Sequence, residues 1–160
     1  MFTPPFLGPD HGSSALQQQT DNCLDWIEDP TSEHSSLSSV LLLKNAIYVA
    51  RDLYLWETQG ILSAIDRQNM AENLLQLLAP VNENTPGMHA FVWCYFIAGA
   101  SSSDPKNRDF VSERLRQVYM RTRMRNILSA IDMLEQFIWP LPEGQNWTHC
   151  PVVLNRTLVM

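Results

Sequence analysis

The stretch His89-Ala-Phe-Val-Trp-Cys-Tyr-Phe-Ile-Ala-Gly-Ala100 decides the fold of this chain. Every residue from Ala90 to Ala100 is apolar or glycine. A helix that is apolar all round is typical of the centre of a domain, and the run is shorter than the roughly 20 residues of a membrane span. Its aromatic content keeps a strand open as an alternative, because periodicity does not distinguish short apolar runs. The stretch therefore predicts a central buried element, with a helix as the first interpretation.

Two helices are predicted on the amino-terminal side of this stretch. Apolar residues recur at helical spacing from Leu43 to Tyr54, with Ser38 or Ser39 as the cap and Gly60 as the stop. A second, more loosely patterned helix is predicted over 61–79. Both would place an apolar face against the central element.

Two further helices are predicted on the carboxyl-terminal side. Asp104 suits an N-cap and Pro105 the first helical position, where the missing N–H costs nothing. The apolar stripe of this helix consists of Val111, Leu115, Val118, Tyr119 and Thr122. A last helix is predicted from Ile127 to Ile138, and Pro140 ends it. Because no β-hairpin signal accompanies these patterns, the predicted fold is an all-α bundle of about five helices.

Three segments are predicted along the chain. Residues 1–37 are predicted to be a flexible arm rich in acidic residues, serine and glutamine, and 38–139 a helical domain. Residues 140–160 are predicted to be a carboxyl-terminal tail. Within the arm, Asn22 to Asp29 alternates acids with apolar side chains, a composition also seen in activation segments. The first interpretation is a short helical turn that packs onto the domain or a plain solvated leader, and an activation segment is the alternative.

Charge is segregated along the sequence. The net charge is −6, which argues weakly against nucleic acid as a partner. Seven of the 11 basic residues lie within 106–125, namely Lys106, Arg108, Arg114, Arg116, Arg121, Arg123 and Arg125. Most of them flank or oppose the apolar stripe, so a solvated or interface-forming face is the first interpretation. A patch for an acidic partner is the alternative, with Lys106, Arg116, Arg121, Arg123 and Arg125 as its candidate residues.

No motif in the sequence indicates catalysis or a metal site. The four histidines and three cysteines match neither metal-ligand spacings nor a nucleophile motif. We therefore expect no enzymatic activity and no cofactor. The aromatic residues of the central stretch, among them Phe91 and Trp93, could line a small-molecule cavity or simply form core.

The central stretch and the segment after it resemble the fungal-specific transcription factor domain, the regulatory region behind the binuclear zinc cluster of fungal regulators. The resemblance covers roughly residues 88–139. It is carried by Trp93, Phe96, Ala98, Gly99, Arg108, Arg114, Leu115, Tyr119, Thr122, Asn126, Leu134, Glu135 and Trp139. Physically, Gly99 would permit close approach of helices, Asn126 would cap the last helix, and Trp93 and Trp139 would anchor the packing.

The resemblance implies a regulatory role in the nucleus, or in the cytoplasm for a form without an import signal. It implies protein partners, either transcription regulators or a second copy, and allows a small-molecule effector. Two departures stand out: Met124-Arg125 replaces a glycine frequent in relatives, and three scattered cysteines replace the six of the zinc cluster. We therefore expect no direct DNA binding by this chain and no membrane association. The alternatives are a helical interaction protein that titrates a full-length regulator, or a small-ligand-binding protein.

Overall fold

The structure, a computed structural model, describes residues 33–153. Five α-helices are present in this range: α1 (Glu33–Gln59), α2 (Ala64–Leu78), α3 (Val92–Ser101), α4 (Pro105–Thr122) and α5 (Arg125–Met133). The all-α prediction of about five helices is confirmed, and the strand alternative for the central stretch is wrong. The predicted arm before Glu33, with its acidic and apolar segment, and residues 154–160 lie outside the described residues.

Helix α1 begins at Glu33, earlier than the predicted serine cap, and ends as predicted before Gly60. Gly60 has a φ of 67° and donates its backbone N–H to the carbonyl of Glu57, while the Ile61 N–H bonds the carbonyl of Trp56. This pair of bonds is a Schellman C-cap, which requires the left-handed conformation that glycine adopts without strain. The cap turns the chain sharply towards α2.

Helix α2 begins later than the predicted residue 61, because Ser63 caps it. The Ser63 hydroxyl accepts the backbone N–H of Asp66 at 3.1 Å, which satisfies one of the free donors at the helix start. Leu74, Leu75 and Leu78 are buried, whereas Ile65 near the start is exposed. Only the carboxyl-terminal half of α2 therefore contributes to the core.

The central stretch is the most buried element in the described part of the chain. It begins as a 3₁₀ turn, Met88–Phe91, and continues as α3, in which every residue from Cys94 to Ser101 is buried. Earlier in the stretch, His89, Ala90 and Trp93 are exposed, Trp93 to 42% of its surface, and Val92 is half-buried. The prediction of a central buried helix is confirmed, but Trp93 is only a partial packing anchor.

Helices α4 and α5 meet at a left-handed residue. Asp104 accepts the Lys106 N–H at 2.9 Å and Pro105 occupies the first turn, as predicted. Arg123 has a φ of 57° and donates its N–H to the Tyr119 carbonyl at 2.7 Å, which ends α4.

The predicted N-cap of α5 is wrong. The helix begins at Arg125 after Met124, so Asn126 lies in the first turn with its side chain exposed. Met124 supplies no capping side chain, but its own N–H bonds the Thr122 hydroxyl at 3.4 Å. Tertiary packing explains the shift, since α5 buries Ile127, Ala130 and Ile131 on one face.

The end of α5 widens into a π-helical turn over Leu134–Ile138, which the sequence pattern does not reveal. Beyond it the chain continues to pack. Trp147, in a 3₁₀ turn over Trp147–His149, and Val153 are buried members of the core. The Asn146 side-chain amide also donates to the Glu57 carbonyl at the end of α1. Packed structure thus extends past the predicted boundary at residue 139.

Among the described residues, no helix is both long and apolar enough to cross a bilayer.

Candidate interaction site

Gly99 has less free space around it than the other glycines that the structure describes, because α3 comes close to α4 there. A Cβ at this position would lie 2.8 Å from Val111 Cγ1 and 3.5 Å from Leu134 Cδ1. Real Cβ atoms do not come as close as 2.8 Å to another carbon, so the contact with α4 requires glycine. The predicted close approach at Gly99 is present.

Trp139 and Arg108 meet beside Gly99. The Trp139 indole N–H donates to the Gly99 carbonyl at 2.9 Å, and the Arg108 Nε–H donates to the Ser102 carbonyl at 2.9 Å. The Arg108 guanidinium lies 5.6 Å from the centroid of the Trp139 ring, within cation–π range. Partial burial lowers the pKa of Arg108, which remains charged. We call these four residues the tryptophan junction.

A second set of contacts joins α4 to the π-helical turn. Glu135 accepts the Ser112 hydroxyl at 2.8 Å and an Arg116 N–H at 2.8 Å. Glu135 within the turn thus contacts α4, and Trp139 directly after it contacts α3. Arg116, assigned from sequence to a free basic patch, is therefore paired within the domain.

Five further residues of the family motif contribute to the packing or the hydrogen bonding of the fold. Phe96, Ala98, Leu115 and Leu134 are core residues, and the Thr122 hydroxyl donates to the Val118 carbonyl. The four core residues pack against other core side chains, so at these positions the family motif describes packing.

The other basic residues between Lys106 and Arg125 divide into paired and unpaired groups. Arg114 lies 5.2 Å from the centroid of Phe110 and bonds the Gln117 side chain, and Arg123 lies 5.7 Å from the centroid of Tyr119. By contrast, Lys106, Arg121 and Arg125 are exposed and make no side-chain hydrogen bond or ion pair within the described residues. These three keep their charge free for a partner.

The structure does not bring the three unpaired cations together. Lys106 opens α4 and Arg121 lies in its last turn, about 22 Å away at 1.5 Å per residue. The other two cations, Arg121 and Arg125, instead lie close in the chain to exposed apolar side chains. The α4–α5 corner consists of Met120, Arg121, Met124, Arg125 and Leu128, all of them exposed.

The sequence interpretation missed the apolar part of this corner. Met120, Met124 and Leu128 are spaced four residues apart, but the helical period is interrupted between them, because Arg123 is left-handed and Met124 is extended. Their exposure could not be predicted from the sequence, because it depends on how α4 and α5 pack. Flexible methionine side chains beside free arginines suit a partner that is both apolar and acidic.

A cleft of about 350 Å³ lies between the loop before α3 and the end of α4. The loop residues 83–87 line one side and Val118, Arg121 and Thr122 the other. Phe91 and Tyr95, which the sequence offered as possible cavity residues, are buried in the core. The core interpretation of these aromatic residues therefore holds.

The described residues contain no cluster of three or more metal-ligating side chains. Burial raises the pKa of the Cys94 thiol to about 12, which keeps it protonated and a poor nucleophile. The His149 ring lies 3.2 Å from the Thr58 carbonyl, a contact that docks this turn onto the end of α1. In this structure, Cys94 and His149 contribute to packing.

Residues 10–150 match the family model of the fungal-specific transcription factor domain. The chain belongs to this family. The match confirms the resemblance seen in the sequence and spans all five helices, the tryptophan junction and the α4–α5 corner. As a fungal-specific transcription factor domain, the chain has a role in transcription regulation. No curated protein and no solved structure matches it significantly.

Proposed function

We propose that this chain regulates transcription in the nucleus through protein contacts, without contacting DNA and without catalysis. The family match over residues 10–150 carries the regulatory part of the proposal. The α4–α5 corner supports the part that concerns protein contacts. Its two free arginines are cationic and its three exposed side chains are apolar, so it offers a partner both charge and apolar surface.

The charge distribution supports a protein partner over DNA. Phosphate binding needs several free cations on one face, and each neutralised phosphate contributes to affinity. In α4, Arg108, Arg114 and Arg116 are occupied by contacts within the domain. The net charge of −6 further opposes binding to a polyanion.

The chemistry of the corner indicates the class of partner. Arg121 and Arg125 would pair with carboxylates, and Met120, Met124 and Leu128 would cover apolar side chains. We propose an acidic, partly apolar peptide segment of another regulatory protein as the occupant. Burial of the apolar side chains would provide affinity, and the charges would provide orientation and a faster encounter.

The test is to tether the full chain to an unrelated DNA-binding domain upstream of a reporter gene in a fungal host. We expect reporter transcription to change relative to the DNA-binding domain alone. Arg121→Glu should reduce this change severalfold, whereas Lys106→Glu, a matched reversal of a free cation far from the corner, should leave it intact.

Two outcomes would contradict the proposal. A reporter that responds neither upwards nor downwards to the folded, tethered chain would remove the regulatory role. Equal losses from Arg121→Glu and Lys106→Glu would remove the assignment of the α4–α5 corner while leaving the regulatory role in place.

A further inference from the structure

The loop before α3 carries a threonine that is followed directly by a proline. Thr85 is half-buried, and the loop residues on either side of it are exposed. A threonine before a proline is the acceptor that kinases of the proline-directed class require, since Pro86 has no backbone N–H for an enzyme to satisfy. Thr3-Pro4, the one other Thr-Pro pair in the sequence, lies outside the described residues.

The hydrogen bonds that hold Thr85 are local to the loop. The Asn82 backbone N–H donates to the Thr85 hydroxyl oxygen at 2.9 Å, and the Thr85 N–H donates to the Asn82 carbonyl at 3.0 Å. Both bonds join residues of the same turn, so the loop can open for an enzyme without disturbing α2 or α3. Within residues 33–153 the Thr85 hydroxyl accepts a bond and donates none, which leaves its proton free for transfer.

Thr85 shares the cleft of about 350 Å³ with a free cation. Thr85 lies on the loop side of the cleft and Arg121 on the α4 side. Arg121 is exposed and makes no side-chain hydrogen bond or ion pair within the described residues. A phosphoryl group takes the room of a few water molecules, at about 30 Å³ each, so the cleft accommodates one.

Two other ionisable side chains, His89 and Glu83, also line the cleft. Glu83 would repel a phosphate, but its side chain is exposed and can turn towards water, where the repulsion is screened. His89 would favour a phosphate whenever its ring is protonated. The fixed charge that faces Thr85 from the other side of the cleft is therefore that of Arg121.

We propose that Thr85 is phosphorylated by a proline-directed protein kinase and that the phosphate pairs with Arg121 across the cleft. A bond forms between Thr85 Oγ1 and the γ-phosphorus of ATP, and the bond from that phosphorus to the β-phosphate oxygen breaks. The hydroxyl proton passes to a base of the kinase, and ADP leaves. The new group carries a charge of about −1.5 to −2 and accepts charge-assisted hydrogen bonds from the guanidinium.

The modification would regulate the α4–α5 corner. Arg121 belongs both to the cleft and to the corner, where it is the proposed contact for the carboxylates of an acidic partner. A phosphate held by Arg121 withdraws that cation from the partner and adds negative charge beside the corner. This regulation rests on the proposed function of the corner, whereas the modification site itself does not.

The first test is transfer to the folded full chain from ATP, with a purified mitogen-activated protein kinase and separately with a purified cyclin-dependent kinase. Mass spectrometry of the digested chain should place a phosphoryl group on Thr85. Thr85→Val removes the acceptor and Pro86→Ala removes the feature that the kinase reads, so both should abolish transfer at this position. No phosphate at Thr85 with either kinase, or transfer that Pro86→Ala does not reduce, overturns the site.

The second test measures the pairing with Arg121. Phosphorus NMR follows the second ionisation of the phosphate, and pairing with a guanidinium favours the doubly charged form. The second pKa of the phosphate should therefore be lower in the chain than in a phosphorylated peptide of residues 81–88. Arg121→Gln should remove the difference, and Arg125→Gln, the matched loss of a free cation of the corner outside the cleft, should keep it. Equal pKa values in the two variants overturn the pairing.

The third test measures the effect on the corner. The probe is a fluorescent peptide of alternating glutamate and leucine residues, and its Kd is measured by anisotropy at physiological salt, where distant repulsion is screened. Phosphorylation of the chain should raise the Kd about fivefold. In Arg121→Gln the same modification should change the Kd far less, because the cation is already absent. Circular dichroism verifies that each variant keeps its helices.

The outcomes separate this inference from the proposed function. A peptide that binds the phosphorylated and unphosphorylated chains equally overturns the regulation of the corner. A peptide that does not bind the unphosphorylated chain overturns the proposed role of the corner, while mass spectrometry and NMR still decide the modification site. A chain without phosphate at Thr85 that still changes reporter transcription overturns only the present inference.

Discussion

Gly99 shows how one missing methyl group sets the distance between two helices. With Val111 Cγ1 2.8 Å from where a Cβ would be, Gly99→Ala forces α3 and α4 apart or moves the Val111 side chain. We expect a loss of about 1–3 kcal/mol in the free energy of unfolding, measured by urea denaturation. Because the cost arises at one contact, Val111→Ala should relieve part of it, and strictly additive losses in the double variant would contradict this account.

Two neighbouring buried groups at the centre of α3 predict a loss of stability in alkali. Burial raises the pKa of Cys94 from 9.0 to about 12 and that of Tyr95 from 10.0 to about 12. A raised folded-state pKa of an acid means that folding favours the neutral form. The stabilisation is therefore complete below about pH 9 and is lost as the pH rises from about 9 to 12.

The measurement is the free energy of unfolding as a function of pH. Cys94→Ala should remove the cysteine part, so that the slope between about pH 9 and 10 becomes shallower while the tyrosine part remains. Met120 is exposed and does not titrate, so Met120→Ala is the matched control. A Cys94→Ala profile identical to that of the wild type would contradict the assignment.

At the scale of elements, the joint between α1 and α2 depends on a buried charge. The Glu57 side chain is 1% exposed and pairs with Arg67 of α2, while its backbone carbonyl accepts the Asn146 amide. The second carboxylate oxygen of Glu57 has no hydrogen-bond partner within residues 33–153. The charge on Glu57 therefore depends strongly on Arg67 for its compensation.

Removing Arg67 should test this joint. Arg67→Met leaves a buried, uncompensated carboxylate, and we expect a loss of about 3–5 kcal/mol in the free energy of unfolding. Arg116→Met breaks the more exposed pair with Glu135 and should cost about 1 kcal/mol or less. Chemical denaturation measures the free energy of unfolding of both variants. Similar losses would show that the burial of Glu57 does not determine the stability of the contact between α1 and α2.

At the scale of the whole molecule, the net charge of the full chain opposes binding to nucleic acid. The chain has a net charge of −6, and most arginines of α4 contact groups of their own domain. We expect fluorescence anisotropy with duplex DNA to show no sequence preference at about 50 mM salt and no binding at about 200 mM salt. A basic DNA-binding domain measured in parallel is the control, and specific binding with a steep salt dependence would refute the prediction.

The sequence alone predicted those features that depend on interactions between residues close together in the chain. The Asp104-Pro105 start of α4 and the Gly60 end of α1 were predictable, because caps act over a few residues of the chain. The buried centre from Cys94 to Ala100 was predictable because an all-apolar run has no face to offer to water. The family motif could likewise be recognised from the sequence, because it is an ordered pattern of residues along the chain.

Only the tertiary structure decided the rest, since it depends on residues distant in the chain. Burial of Glu57, the pairing of Arg116 with Glu135, and the contact of Trp139 with Gly99 all join different elements. The amphipathic pattern of α1 correctly placed Ala46 and Leu53 inside, yet it could not show that Tyr48 and Leu55 remain uncovered on the other face. Periodicity reports which side chains share a face, whereas packing alone determines which faces meet another part of the molecule and which meet water.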